Sequence, residues 1–305
     1  MFPPIEPFAT GYLRVGDGNE LYWEVSGNPD GKPALHLHGG PGSGIMTGYR
    51  RRFDPDRFLI VGFEQRGCGR SRPLVTDPAA DLATNTTPAL IADIEALRAH
   101  FGAGKWLVTG LSWGTTLALA YAQAHPDRVS ALVLAAVATT SPSEVEWITE
   151  SIGRVFPREW AQFEAASHRK PGQRLVDAYD DLITHPDPSV RDRAARAWCA
   201  WEDTHVSLDP KYAPDPRYDD PVLRKWCLGR YNDWLFELER ESGGRLVGVP
   251  LLPVNSVEET IAELKRVLAK GARTVQVDAF ADQQGAPYWS DPVWEPLWSE
   301  VASAK

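Results

Sequence analysis

Gly110-Leu111-Ser112-Trp113-Gly114 is the stretch of this chain whose residue types and spacing come nearest to a reaction. A serine flanked by glycines at this spacing sits at the tip of a sharp turn when an apolar strand precedes it and a helix follows. Both flanks qualify: Trp106-Leu107-Val108 is apolar, and helical signals run from about Trp113 to Ala124. The glycines let strand and helix close on each other. The hydroxyl then stands alone at a helix N-terminus, the setting of a nucleophile in acyl transfer. A chance match in a Gly-rich loop is the competing reading, and the strand–turn–helix context makes it the minor one.

His38-Gly39-Gly40-Pro41-Gly42 supplies the second part. It follows another apolar strand upstream of the serine, where a loop carrying oxyanion donors belongs. A tetrahedral intermediate needs two backbone N–H groups aimed at its developing charge. Those of Gly40 and Trp113 are the natural pair. An ordinary Gly-Pro turn is the alternative. His36 and His38 have the spacing of a metal pair, but no further ligands follow at suitable intervals. Phe63 to Ser71 reads as a wall beside the oxyanion loop, with Cys68 a small buried filler.

Elements must hold these loops in place. Leu21–Val25, Ala34–His38, Phe58–Phe63, Trp106–Val108 and Leu132–Val137 read as strands, with helices from Pro88 to Phe101 and Trp113 to Ala124. Buried apolar strands separated by helices predict a parallel sheet covered on both faces. Strand signals then stop, and amphipathic stretches at 143–165, 172–184 and 189–203 predict a helical insertion. Residues 212–221 are a turn-rich linker. Beyond it come a helix along Val222, Leu223, Trp226, Tyr231, Trp234, Leu235 and Leu238, a strand at 246–249, a helix capped by Ser256, a strand at 274–277 and a last helix after Asp291. The expected layout is a core over 1–140, a helical cap over 141–218 and a C-terminal α/β segment over 219–305.

Composition narrows the function. The 305 residues are 43% hydrophobic and 24% charged, an ordinary globular mixture. A net charge of −9 without basic clusters argues against nucleic-acid binding. No apolar run approaches the length of a membrane span, and the N-terminus shows no secretory signal. Three widely spaced cysteines suit reduced thiols, so a cytoplasmic location is expected.

Residues 8 to about 221 resemble proline iminopeptidases (prolyl aminopeptidases), serine peptidases of the α/β-hydrolase fold. The resemblance lies in Leu37-His-Gly-Gly-Pro-Gly-Ser43, Gln65-Arg-Gly-Cys-Gly-Arg-Ser71, Asn85-Thr-Thr87, the run Ser112 to Gln123 and Trp198-Cys-Ala-Trp-Glu202. It implies release of N-terminal proline from small peptides without a cofactor or metal. It also implies Ser112 as nucleophile, Gly40 and Trp113 as oxyanion donors, and Glu202 as the carboxylate that takes the substrate's free amine. A partly buried carboxylate suits a charged amine, and Trp201 beside it would wall a proline ring. A solvated glutamate on an amphipathic helix is the alternative.

After Pro221 the pattern changes. Through Tyr231-Asn-Asp-Trp-Leu235, Arg245-Leu-Val-Gly-Val-Pro-Leu-Leu-Pro253, Val257-Glu-Glu-Thr-Ile-Ala-Glu-Leu264, Gly271-Ala-Arg-Thr-Val-Gln-Val277 and Pro287-Tyr-Trp-Ser-Asp-Pro292, residues 222–305 resemble an internal slice of amidohydrolase-related metal-dependent barrels. Hydrolases of this fold place the triad acid and then the histidine after the serine. The seven histidines here are 36, 38, 100, 125, 168, 185 and 205, so none follows 205. The tail's strands would dock where the hydrolase strands belong, putting Asn255 near the acid position and Asp278 near the histidine position. Three readings follow. The first is a prolyl aminopeptidase-type hydrolase with its base missing. The second is a catalytically inactive hydrolase-like protein that binds N-terminal proline. The third, resting on the tail alone, is a metal-dependent amidohydrolase.

Overall fold

Alternating apolar side chains draw the first part of the chain into strands. The computed structural model describes residues 2–77, 80–206, 221–277 and 286–304. They fall into two compact units, residues 1–146 and 147–305.

The first unit is built on one mixed sheet. Its strands are β1 (Ala9–Arg14), β2 (Glu20–Gly27), β3 (Lys32–Leu37), β4 (Phe58–Phe63), β5 (Trp106–Leu111) and β6 (Val129–Ala135), in the order β1-β2-β4-β3-β5-β6. β4, β3, β5 and β6 run parallel, as the apolar runs predict. β1 and β2 do not: each pairs antiparallel. β1 escapes prediction because its own alternation is weak. Gly11 lies opposite Trp23, whose indole fills the space a side chain there would need.

Helices α1 (Thr87–His100) and α2 (Trp113–Ala124) cover the sheet. Ile94 and Leu97 of α1 and Leu117, Ala118 and Tyr121 of α2 close over Leu35, Leu37, Val61, Phe63 and Val108. The opposite face packs Ala34 and Ile60 under Tyr49 and Phe53. Coverage on both faces fails at β6, where Val133 is 55% exposed. A buried ion pair fastens the loop after β4 to α1: Arg66 donates to both Asp93 oxygens at 2.6 and 2.9 Å.

The second unit holds two cores. The predicted insertion forms α3 (Pro142–Thr149, which crosses the boundary), α4 (Pro157–Ser167), α5 (Leu175–Ile183) and α6 (Pro188–Val206). Phe163, Leu175, Tyr179, Ala194 and Trp201 make its core. The tail forms α7 (Pro221–Glu241), α8 (Val257–Ala269) and α9 (Glu295–Ser303), with Leu252, Leu264, Val267, Trp294 and Leu297 inside. The expected linker lies in residues outside the description, except for Pro221, which opens α7.

Two expectations for the tail are corrected. Residues 246–249 form no strand, and two of their backbone donors go to side chains within and just past α7: Gly248 N–H to Glu239 Oε2 at 3.3 Å and Leu246 N–H to Ser242 Oγ at 3.0 Å. Residues 274–277 contribute one parallel bridge, between Gln276 and Leu251. No described residue beyond 135 joins the six-stranded sheet. The expected apolar face of α7 is also wrong. Trp226 and Trp234 are at least half exposed, while the fully buried position is Asn232. Its carboxamide accepts the Leu251 N–H and donates to the Leu251 carbonyl, both at 2.9 Å, taking the place of a neighbouring strand.

Candidate active site

Ser112 lies where β5 turns into α2, at φ 52° and ψ −125°. A non-glycine residue at such a φ is strained, and it persists only when its surroundings fix it. Here they do. The Ser112 N–H donates to Ala135 O at 3.1 Å, and its carbonyl accepts from Thr115 N–H at 2.8 Å and Thr115 Oγ1 at 2.7 Å. The flanking glycines are sterically required. A methyl on Gly110 would stand 2.5 Å from Gly114 O, and one on Gly114 would run into Leu37 O. The Ser112 side chain is exposed and makes no capping bond to its helix. The N–H groups of the first helical turn lack intrahelical partners, so Trp113 N–H is available to a ligand.

Parallel pairing places Leu37 beside Gly110, so the loops after β3 and β5 leave the sheet together. A methyl on Gly39 would stand 3.1 Å from Ser112 Cβ. The 38–43 loop therefore abuts the serine, with Gly39 buried and Gly40 exposed. The Gly39 carbonyl takes Ser43 Oγ–H at 2.7 Å, Ser43 N–H at 3.4 Å and His38 Nδ1 at 2.9 Å. Behind the loop, Gln65 N–H donates to His38 Nε2 and Gln65 Nε2 to His38 O, both at 3.0 Å. Gln65 Oε1 accepts Trp113 Nε1–H at 3.2 Å. These links join residues 27 and 48 positions apart, and nothing in the local sequence pattern announced them.

The core histidines are committed elsewhere. Burial, then the nearby Arg52 and His38, hold His36 down to about 3. Its Nδ1 meets Thr109 Oγ1 at 3.0 Å and its ring stacks on Tyr49 at 4.6 Å. His38 has both nitrogens engaged, and burial lowers its pKa. His125 lies a helix length from Ser112, about 20 Å along α2 at 1.5 Å per residue. His100 packs against Trp23 and Phe101. Cys68 is buried against Gln65 O, and burial pushes its thiol up to about 11, which suits a filler rather than a nucleophile.

The remaining predicted residues lie in the second unit. Glu202 is exposed on α6, and its carboxylate accepts Trp198 Nε1–H at 2.9 Å. Trp201 does not wall a pocket. It is 2% exposed, stacks on Phe163 at 5.2 Å and donates its indole N–H to Ile148 O at 3.0 Å. Its face is spent on the cap's own core. His185 Nδ1 accepts Asp187 N–H at 3.1 Å, His168 ends α4 in the left-handed conformation, and His205 packs on Trp201. Asn255 is exposed and donates to Glu259, and Asp278 lies outside the described residues. Among the described residues no three His, Cys, Asp or Glu side chains gather as metal ligands, and no helix is long and apolar enough to cross a membrane.

A strained serine between strand and helix, on a largely parallel sheet with a glycine loop against it, defines a hydrolase of the α/β class. A sequence profile described as alpha/beta hydrolase fold matches residues 33–198. The chain is 49% identical over 226 residues to a probable proline iminopeptidase of Streptomyces coelicolor, covering 73% of this chain and 69% of that one. It is 46% identical over 220 residues to the proline iminopeptidase of Neisseria meningitidis serogroup B, covering 72% and 69%. With that of Arabidopsis thaliana the identity is 44% over 212 residues, covering 69% of this chain and 54% of the relative. The chain belongs to the proline iminopeptidase family of α/β-hydrolase fold proteins.

Proposed function

We propose that this chain releases N-terminal proline from small peptides through an acyl-enzyme on Ser112, at a rate limited by the want of a general base. The strained conformation of Ser112, fixed by its neighbours and abutted by the Gly39–Gly40 loop, carries the reading. In the reaction Ser112 Oγ bonds to the prolyl carbonyl carbon, and the carbonyl oxygen takes negative charge facing the N–H groups of Gly40 and Trp113. The C–N bond then breaks, the amine leaves with a proton, and water releases proline. Glu202 takes the substrate's ammonium group through a charge-assisted bond. The serine proton passes to solvent, since both ring nitrogens of His38 are engaged and His36 is buried in the core. In a serine protease, loss of the histidine alone costs roughly 2 × 10⁶ in kcat and leaves about 10³–10⁴ over water.

Turnover of a prolyl chromogenic amide tests this. Slow hydrolysis is expected, abolished in Ser112→Ala, weakened in KM by Glu202→Gln and absent for the N-acetylated substrate. Hydrolysis that survives Ser112→Ala, or that ignores acetylation, would overturn it.

A further inference from the structure

We infer that His38 and Gln65 are positioning residues for the oxyanion donors. The inference rests on the reading above that Gly40 and Trp113 supply those donors. A peptide unit is planar, and in its trans form the carbonyl and the following N–H point in opposite directions. The Gly39 carbonyl is gripped by His38 Nδ1 and by the hydroxyl and N–H of Ser43. Fixing that oxygen fixes the Gly40 N–H on the other edge of the same plane.

The protonation of His38 follows from its neighbours. A backbone N–H only donates, so Nε2, which faces Gln65 N–H, carries the lone pair, and Nδ1 carries the proton given to Gly39 O. Gln65 does the rest. The Trp113 indole only donates and the His38 carbonyl only accepts, so the group between them must accept at one end and donate at the other. A glutamine carboxamide does both. Glutamate would set an oxygen against an oxygen, methionine offers no donor, and asparagine is one methylene short. Gln65 and His38 are both 3% exposed, so water cannot substitute. One side chain therefore ties the Gly40 loop to the first residue of α2, holding the two donors in register.

The test is a double-mutant cycle with Gln65→Met, Trp113→Phe and the pair, read as Ser112 labelling by a fluorophosphonate, with reversible affinity and maximal rate separated. Gln65→Met is expected to lower the maximal rate roughly 10- to 100-fold, the scale of a misaimed oxyanion donor, with affinity unchanged. Trp113→Phe in that background should add little, because the two remove one link. Equal rates in wild type and Gln65→Met would overturn the inference while leaving the nucleophile in place. No labelling of wild type above Ser112→Ala would overturn the nucleophile, and with it the role given to Gln65. Should Gln65→Met not fold, nitrogen NMR shifts of His38 in the wild type decide. A proton on Nδ1 and none on Nε2 at neutral pH supports the link, and the opposite tautomer refutes it.

Discussion

His36 shows why a histidine near a catalytic loop need not be catalytic. Its imidazole lies between Thr109 and the Tyr49 ring, and burial, with Arg52 and His38 nearby, holds it at about 3. The unfolded value is about 6.5. Between the two the unfolded chain binds a proton that the folded one refuses. Stability is thus full above about pH 6.5 and falls as pH drops toward 3, by at most about 1.4 kcal/mol per unit per group. His38 acts in the same direction. Carboxylates such as Glu95, held down to about 2 by Arg98, lose their contribution only below about 4.5. In the window from pH 6.5 to 5 the histidines therefore set the fall, with the buried Asp93, held up by desolvation, acting in the opposite direction. Urea midpoints of wild type should fall across it, and those of His36→Gln should fall less; equal slopes would refute the assignment. At this scale the turn at Ser112 and the loop beside it were legible in the sequence, because a glycine-flanked serine between strand and helix and a Gly-Gly run after a strand are local patterns. Trp201 was misread. A tryptophan beside a glutamate looks the same in a pocket or a core, and only its stacking on Phe163 tells the two apart.

At the scale of elements the turn geometry sets the tolerances. Gly114 lies where a methyl would meet Leu37 O and, at 2.8 Å, His38 O, both backbone atoms of β3 and its loop. Gly114→Ala should cost about 1–3 kcal/mol, as overpacking does. Gly104→Ala, with no atom within 4 Å of the added methyl, should be nearly neutral. Chemical denaturation of both variants checks this, and comparable losses would refute the packing argument. The parallel strands and α2 were legible because apolar runs and the glycine-flanked serine between strand and helix are local signals. The antiparallel β1 was not, since its partner creates it. The apparent strand at 246–249 failed for a physical reason. Leu246-Val247-Gly248-Val249 has strand composition, but Glu239 of α7 and Ser242 just past it take the N–H groups of Gly248 and Leu246, and Gly248 lies against Leu235. The face of α7 was misjudged because a polar residue, Asn232, is its anchor.

For the whole molecule the decisive property is a disparity between parts. Residues 1–146 carry the strained turn at Ser112 and the glycine loop against it, proposed above as nucleophile and oxyanion loop and tied together through Gln65. The seven histidines of the chain end at position 205, and those of the first unit are hydrogen-bonded within the fold, remote from Ser112 along α2 or, for the exposed His100, packed on the rings of Trp23 and Phe101. If, as proposed, Ser112 has no proton acceptor, the site should respond to one supplied from solution. The direct measurement is hydrolysis of a prolyl ester against added imidazole, with Ser112→Ala subtracted as the background. The expected result is a slow basal rate that rises in proportion to imidazole in wild type and not in Ser112→Ala. A fast basal rate indifferent to imidazole would mean that a base already serves Ser112, and would contradict the account.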